Sequence, residues 1–471
     1  MRLYIYIVCV VFTFISCGRE TSENLVFIGG EIINKNTDYV ILYDAKEVID
    51  TIRLDGRNRF LYKFEKDFKP GFYTFRHGAE VQMVLLEPGD SLMFRLNTYD
   101  FDESLVYTGK GAKKNNYLIN DFLEREIEEK EIFKYCQLDP KVFERHLDSI
   151  KAEKNIKLKA FEVKYTPSEL FSKIAQANID YAYYSSKEIY PFVHYGYDKK
   201  SIMESLPEDF YAYRKVINYN DEFFKHNFNY ITFLRSSFNN IGLGLHLEHS
   251  KKDKFKWMDL CYNLCRLEAI DSLVINPDIK NELLYHYGIS FLAKNKNLEH
   301  NDIVLKSLLA KGTDKKKNDK IVSYNASVNR LKTGEKFPEV KVLNLENNSV
   351  SINNVFNKPS VVYFWSHMYK DFFDNSHKRA KELRKKYPEV DFISVNIDCY
   401  STDRWQSTLK KKNCSPQNEY MFENSEQSIE QLAIYPLTKV ILVDKESTIV
   451  NGHSNMFESS FEEELLAMLN R

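Results

Sequence analysis

The sequence contains little glycine and little proline, and it carries almost no net charge. Its 471 residues include only 16 glycines and 12 prolines, which excludes long flexible or proline-rich linkers. The formal net charge of −1 gives no basis for a polyanion partner, so nucleic acid is not an expected ligand. Hydrophobic residue types make up 43% of the chain, which is enough for two or three domains that each bury a core.

The first 17 residues have the pattern of a cleaved export signal. Arg2 precedes an apolar run at residues 3–15, which is too short to span a bilayer. The end of this run resembles the lipobox of bacterial lipoproteins, which implies that Cys17 is lipidated and anchors the chain to a membrane. An ordinary secretory signal with an incidental cysteine is the alternative. Some lipoproteins are retained at the inner membrane by an aspartate where this chain has Gly18, so we expect the outer membrane, facing the periplasm.

Residues 24–110 have the alternating pattern of short β-strands. Segments rich in β-branched and aromatic residues are separated by turn signals such as Asp55-Gly56 and Pro88-Gly89. This pattern predicts a small β-sandwich or barrel. A module that binds sugars or peptides is a further possibility for this part, but the sequence singles out no aromatic platform for it.

Residues 111–320 have apolar residues at the three- and four-residue spacing of helices. Helix-start signals occur at Asp139-Pro140 and Asn276-Pro277. The pattern predicts a helical middle region without a fixed repeat. The basic stretch at residues 311–320 is short and isolated, so it indicates a solvated turn or linker rather than a nucleic-acid patch.

Strand and helix patterns alternate from residue 333 to residue 471. The predicted strands cover residues 341–345, 360–365, 390–397, 438–443 and 448–450, and the predicted helices cover residues 376–386, 402–411, 425–434 and 461–469. This order predicts a central sheet flanked by helices. The fold class of the whole chain is therefore predicted as multidomain α+β.

The C-terminal part resembles the thioredoxin-like modules of TlpA/ResA-type envelope proteins. Its markers are a Gly-Glu-Lys-Phe-Pro segment at residues 334–338, an apolar strand that ends at Trp365, a strand that ends at Asp398, and Tyr435-Pro436, where the family has a cis-proline. The resemblance covers about a third of the chain and implies a thioredoxin-like α/β domain at residues 333–471. The segments at residues 86–90 and 109–112, just before the first predicted helix, make the N-terminal β-rich part similar to the domain that precedes such modules in many envelope lipoproteins.

The two cysteines of that family's active site are missing. Aligned through Trp365, their positions hold Tyr369 and Phe372, and no cysteine lies between Cys265 and Cys399. The family's chemistry needs a thiolate that is activated at a helix N-terminus and a second thiol that resolves the mixed disulfide. A phenol cannot form a disulfide and a phenyl ring has no reactive atom. We therefore predict no catalytic residue at this position.

The remaining cysteines do not form a recognisable redox motif. Cys399 and Cys414 are interpreted as structural or idle, because nothing places either thiol at a helix start. Cys261 and Cys265 are four residues apart on one face of a predicted helix. No histidine cluster is expected beside them, so we interpret them as core thiols. Whether any of these four cysteines forms a disulfide stays open.

The histidines of the C-terminal part lack the spacing of metal ligands. A site built from His367, His377 and His453 would also need Asp371 or Asp374 to converge on them. The sequence therefore predicts no metal and no cofactor.

Two functions are weighed for the chain. The favoured hypothesis is a redox-inactive envelope protein that binds or scaffolds an unidentified protein or peptide, and the second is a thiol–disulfide oxidoreductase acting through displaced cysteines. Thioredoxin-like folds accept extended peptides in a shallow groove beside the cis-proline, and we assign Trp365, Met368 and Pro436 to that groove. Tyr369 and Phe372 would add an apolar docking surface, or they would simply fill the space of a lost active site.

Overall fold

The computed structural model describes residues 25–45, 47–65, 68–78, 80–250, 254–398 and 402–470. The predicted signal segment with Cys17 lies outside these residues, and so does Cys399. The predicted mixture of β-sheets and helices is confirmed. None of the described helices is long and apolar enough to cross a membrane.

The chain divides into two compact units. Unit 1 comprises residues 1–131 and 155–176, and unit 2 comprises residues 132–154 and 177–471. The long helices of the middle region contribute residues to both units.

Unit 1 contains two four-stranded sheets. The strands are β1 (Phe27–Ile33), β2 (Tyr39–Asp44), β3 (Glu47–Arg53), β4 (Arg59–Lys63), β5 (Gly71–His77), β6 (Glu80–Leu86), β7 (Ser91–Asn97) and β8 (Val106–Lys110). One sheet has the order β4-β1-β7-β8 and the other β3-β2-β5-β6. Both contribute to one core, in which the rings of Phe75 and Phe94 stack at 4.7 Å. This part is therefore a sandwich rather than a closed barrel.

Nine helices form the middle region of the described chain. They are α1 (Ala112–Tyr135), α2 (Pro140–Tyr165), α3 (Glu169–Val193), α4 (Lys199–Glu204), α5 (Phe228–His249), α6 (Leu260–Leu273), α7 (Pro277–Lys294), α8 (Leu298–Lys311) and α9 (Lys315–Arg330). Side-chain caps fix several starts, as the sequence predicts for Asn276, whose side chain accepts hydrogen bonds from the first turn of α7. The predicted linker at residues 311–320 is instead largely the first turn of α9, which Asp314 caps.

A seven-stranded sheet dominates the C-terminal part of unit 2, and four helices accompany it. The elements are β9 (Lys341–Leu343), β10 (Ser349–Ser351), β11 (Ser360–Trp365), α10 (Lys370–Lys386), β12 (Asp391–Asn396), α11 (Thr402–Lys411), β13 (Glu419–Phe422), α12 (Ser425–Gln431), β14 (Val440–Val443), β15 (Ile449–Ser454) and α13 (Phe461–Leu469). The strand order is β10-β9-β13-β12-β11-β14-β15. The predicted alternation of strands and helices is confirmed, although the predicted strands did not include β10 or β13.

Both faces of this sheet are covered, which explains why β11 is buried along its whole length. Val362 and Phe364 point into a core that includes Leu331, at the end of α9. Val361 and Tyr363 point into the core formed with α10 and α13. The middle region therefore supplies part of the packing of the sheet, through α9.

Candidate functional site

The C-terminal end of β11 lies beside two other chain segments at one end of the sheet. β11 runs parallel to β12, so the residues that follow both strands lie at the same end. β11 runs antiparallel to β14, so the segment before β14, which contains Pro436, also lies there. The Tyr435–Pro436 peptide bond is cis, as expected from the resemblance. This end of the sheet is the candidate functional site.

Tyr369 and Phe372 occupy the start of α10, where the resemblance places the missing thiols. Tyr369 is the residue immediately before the helix and is 53% exposed. Phe372 lies in the first turn, and its ring centroid is 5.9 Å from that of Phe457. Met368 is also exposed. These four residues, Met368, Tyr369, Phe372 and Phe457, are called the corner patch below.

Trp365 does not belong to this exposed surface. Its side chain is fully buried, and its ring lies 4.6 Å from that of Phe373 in the small core under α10 and α11. The assignment of Trp365 to a groove is therefore wrong. The last residue of a strand that is covered on both faces points into the core.

The backbone just before the cis-proline is already hydrogen-bonded within the chain. The hydroxyl of Tyr324, on α9, donates to the carbonyl of Tyr435 at 3.2 Å and to that of Ala433 at 3.3 Å. The backbone N–H of Tyr435 donates to the carbonyl of Ala433 at 2.9 Å. An extended peptide that pairs with this backbone would compete with Tyr324 for the carbonyl of Tyr435. Sequence reasoning missed this contact, which joins residues more than 100 positions apart.

A hydrogen-bond network around Asp398 holds the corner in place. The carboxylate accepts hydrogen bonds from the Ser366 hydroxyl at 2.6 Å and from the backbone N–H of His367 at 2.8 Å. It also lies 2.6 Å from Nδ1 of His367 and accepts a hydrogen bond from the Asn396 amide at 3.0 Å. The network fixes the two residues that connect β11 to the corner patch.

The pKa of Asp398 lies below its ordinary value. Burial alone would raise this pKa, because an ionised carboxyl loses hydration, but the hydrogen bonds from His367 and Ser366 outweigh that effect. The carboxyl is therefore ionised in the folded protein at neutral pH. Its role is to accept several donors at once, and this requires the charged form.

The network also resembles a hydrolase triad in outline, but its hydroxyl is not a nucleophile. Nε2 of His367 lies 3.1 Å from Oγ1 of Thr408, which completes an order of carboxylate, imidazole and hydroxyl. The Thr408 hydroxyl donates to the carbonyl of Arg404 in the preceding turn of α11 at 3.0 Å. Its proton is therefore directed away from His367. The arrangement supports a structural role for these groups.

The three histidines considered for a metal site are held in separate places. His367 contacts Asp398, whereas Nε2 of His377 lies 3.3 Å from the Ser394 hydroxyl and 3.5 Å from the Glu419 carboxylate. His453 is on β15. Among the described residues, no group of three possible metal ligands includes any of them. The structure does not bring this set together.

The thiols of the described residues are unpaired, and burial makes most of them poor nucleophiles. Cys136, Cys261, Cys265 and Cys414 are free. Burial raises the pKa of Cys136 to about 12 and, together with neighbouring groups, the pKa values of Cys265 and Cys414 to about 11. Thiols with such pKa values are almost fully protonated at pH 7. None of them lies at the start of α10.

No protein-family model and no curated protein matches this sequence. Parts of the chain match solved structures of thioredoxin-like proteins. A thioredoxin-like protein from Bacteroides caccae is 13% identical over 45% of this chain and 78% of its own length, with a TM-score of 0.31. The thioredoxin domain of a thiol-disulfide oxidoreductase from Bacteroides vulgatus is 21% identical over 28% of this chain and 96% of its own length, with a TM-score of 0.23. A thiol:disulfide interchange protein from a Bacteroides species is 24% identical over 26% of this chain and 81% of its own length, with a TM-score of 0.22. This similarity is confined to less than half of the chain and carries no information about activity.

Proposed function

We propose that this chain is a lipid-anchored envelope protein whose thioredoxin-like domain binds a partner protein and does not exchange disulfides. The observation that carries the proposal is the start of α10. Disulfide exchange would need two thiols at this position, but the chain has a tyrosine and a phenylalanine there. Both belong to a partly exposed apolar surface. The anchor at Cys17 and a place at the outer membrane, facing the periplasm, are part of the proposal and rest on the lipobox resemblance.

The partner that fits the corner patch is an apolar segment of another protein. Large apolar side chains that are grouped and exposed are typical of protein-binding surfaces, and aromatic residues often contribute most of the binding energy there. Hydrogen bonding of a partner peptide to the backbone at the cis-proline is less favourable, because the Tyr324 hydroxyl already donates a hydrogen bond to the carbonyl of Tyr435. We therefore expect recognition through side chains of the corner patch, with Pro436 at its edge.

A redox assay separates this function from the alternative oxidoreductase. We expect the full chain to reduce insulin no faster than a buffer blank, because the start of α10 has no thiol. Iodoacetamide at pH 7 should label Cys136, Cys265 and Cys414 slowly, since burial raises their pKa values. The same chain unfolded in urea serves as the control and should label rapidly.

Turnover together with one rapidly labelled cysteine would establish the alternative. Cys399 and Cys414 would then be replaced by serine one at a time, and the variant that loses turnover would identify the working thiol. Cys399 lies outside the described residues, so this assay also covers a thiol whose surroundings the structure does not describe.

Replacement of Tyr369 should weaken partner binding without affecting the fold. A photo-crosslinking amino acid at position 369 should capture one partner in intact cells. With that partner purified, Tyr369→Ala should lower its affinity by about 10- to 30-fold, which is the effect of removing an aromatic hot-spot residue. Tyr195→Ala is a matched control, because Tyr195 is an exposed tyrosine elsewhere in unit 2. Equal affinities for the two variants would refute a binding role for the corner patch.

A further inference from the structure

Two histidines and two cysteines face one another between α5 and α6. His246 and His249 are three residues apart on α5, and Cys261 and Cys265 are four residues apart on α6, so each pair lies on one face of its helix. The interpretation of Cys261 and Cys265 as thiols without a neighbouring histidine is therefore wrong. The sequence does contain a His-x-x-His pattern that ends at His249, twelve residues before Cys261. Sequence reasoning could not show that the two helix faces meet.

The possible ligand atoms of these residues are close together. Nε2 of His249 lies 2.9 Å from Sγ of Cys261 and 3.6 Å from Sγ of Cys265. One ring nitrogen of His246, one of His249 and the Cys261 sulfur all lie within 4.8 Å of one another. Among the described residues, this is the one group of three or more such side chains with ligand atoms this close. Cys265 is not a member of this group, and its sulfur is placed beside it by the 3.6 Å distance to His249.

These distances are near those of a tetrahedral zinc site. Zn–S bonds of about 2.3 Å and Zn–N bonds of about 2.0–2.1 Å place nitrogen and sulfur ligands roughly 3.6 Å apart. The distance from His249 to Cys265 already has this value. The Cys261 sulfur would move outwards by less than about 1 Å. His246 and Cys265 would move towards each other, because the group within 4.8 Å includes His246 but not Cys265. Side-chain rotation can supply both adjustments.

We propose that His246, His249, Cys261 and Cys265 bind one Zn²⁺ ion and thereby link α5 to α6. Thiolate and imidazole ligands suit zinc, whereas magnesium and calcium prefer oxygen ligands. Binding converts both thiols to thiolates and releases two protons to solvent, with no change of oxidation state. Four protein ligands complete the coordination shell, so the site is of the structural type.

The surroundings allow a metal ion to reach this site and the helices to hold it. A surface cleft of about 850 Å³ is lined by His249, Cys261 and Cys265, so the thiols are reachable from solvent. One turn before His246, a Cβ atom on Gly242 would lie 2.8 Å from Cβ of Arg266. The absence of that atom permits the close approach of α5 and α6. His246 is buried against α6, whereas His249 lies at the exposed end.

Metal binding by the reduced full chain tests the proposal. After dialysis against Zn²⁺ and then metal-free buffer, we expect one zinc ion per chain by mass spectrometry. Co²⁺ in place of zinc should give the strong visible absorption of a tetrahedral thiolate complex. Cys261→Ser/Cys265→Ser should lower the affinity by more than about 100-fold, because loss of second-shell partners alone costs 10- to 100-fold. Cys414→Ser is the matched control and should bind zinc like the unmodified chain.

A second variant guards against loss of folding. His249 is exposed, so His249→Gln should preserve the fold while weakening zinc binding and changing the Co²⁺ spectrum. The proposal fails if the reduced chain retains no zinc, or if the double serine variant retains as much as the control. It also fails if the chain isolated from cells carries a Cys261–Cys265 disulfide and takes up no zinc after reduction.

Discussion

Replacing Asp398 with alanine should destabilise the sheet of unit 2 by about 3–5 kcal/mol. The carboxylate is only 8% exposed and accepts hydrogen bonds from Ser366, His367 and Asn396. Alanine would leave these donors buried without an acceptor, and each such group costs about 1–3 kcal/mol. Urea unfolding followed by tryptophan fluorescence is a suitable measurement, because Trp365 and Trp405 both lie in the core beside this network.

Two further substitutions make the result interpretable. Asp371→Ala removes an exposed carboxylate from the first turn of α10 and should cost less than about 1 kcal/mol, the usual effect of a helix-terminal charge. Asp398→Asn retains one acceptor oxygen but presents an amide N–H₂ to the remaining donors, so an intermediate loss is expected. If Asp398→Ala were no more harmful than Asp371→Ala, the network would not be what holds the corner.

The contribution of the Asp398 carboxylate to stability should also appear as a loss of stability at acidic pH. The pKa of Asp398 is lower in the folded chain than its ordinary value, so the unfolded chain takes up a proton first as the pH falls. The stability that this group contributes is therefore complete above its ordinary pKa and is lost as the pH falls through the folded-state pKa. Asp398→Asn should remove this part of the acid dependence, which a comparison of urea midpoints at several acidic pH values would show.

Local patterns predicted the elements of the C-terminal sheet well where the apolar signal was strong. The predicted bounds of β11, α11 and α13 agree with the structure, because each is a distinct apolar or amphipathic run. α10 begins at Lys370, six residues before its predicted start. β13 was missed because its four residues begin with a charged glutamate, whereas the equally short β14 is wholly apolar. A strand of that length gains its stability from β12 and β9 on either side, which local sequence does not record.

The candidate site depended more on contacts between distant parts of the chain. The position of Tyr369 after the apolar strand followed from the resemblance, through the alignment at Trp365, although the predicted helix began at residue 376 rather than at Lys370. The hydrogen bond from Tyr324 to the backbone before Pro436 did not, because it requires α9 to pack on the sheet. The meeting of His249 with Cys261 likewise depends on how α5 packs against α6. Periodicity identifies the face of a helix, but it does not identify the partner of that face.

Lys439 should make the stability of unit 2 depend on pH in the alkaline range. The side chain is buried, and its ammonium group donates to the carbonyls of Leu432 and Ala433 at 3.0 and 3.1 Å. Burial lowers the pKa of Lys439 from 10.5 to about 7. Between these two pH values the unfolded chain holds a proton that the folded chain has released, so stability rises with pH.

Comparison of the unmodified chain with Lys439→Met isolates this effect. Methionine has a similar length and no charge, so the free-energy difference between the two proteins should change by about 2 kcal/mol from pH 7 to pH 9. As the pH falls, the Lys439→Met variant should gain stability relative to the unmodified chain. The unmodified chain must then either bury a charged ammonium group or release a proton on folding. Lys445→Met, on an exposed turn after β14, is the control, and its stability difference from the unmodified chain should be nearly constant with pH.

A stability difference that is constant with pH for Lys439→Met as well would mean that the amine reaches water in the folded protein.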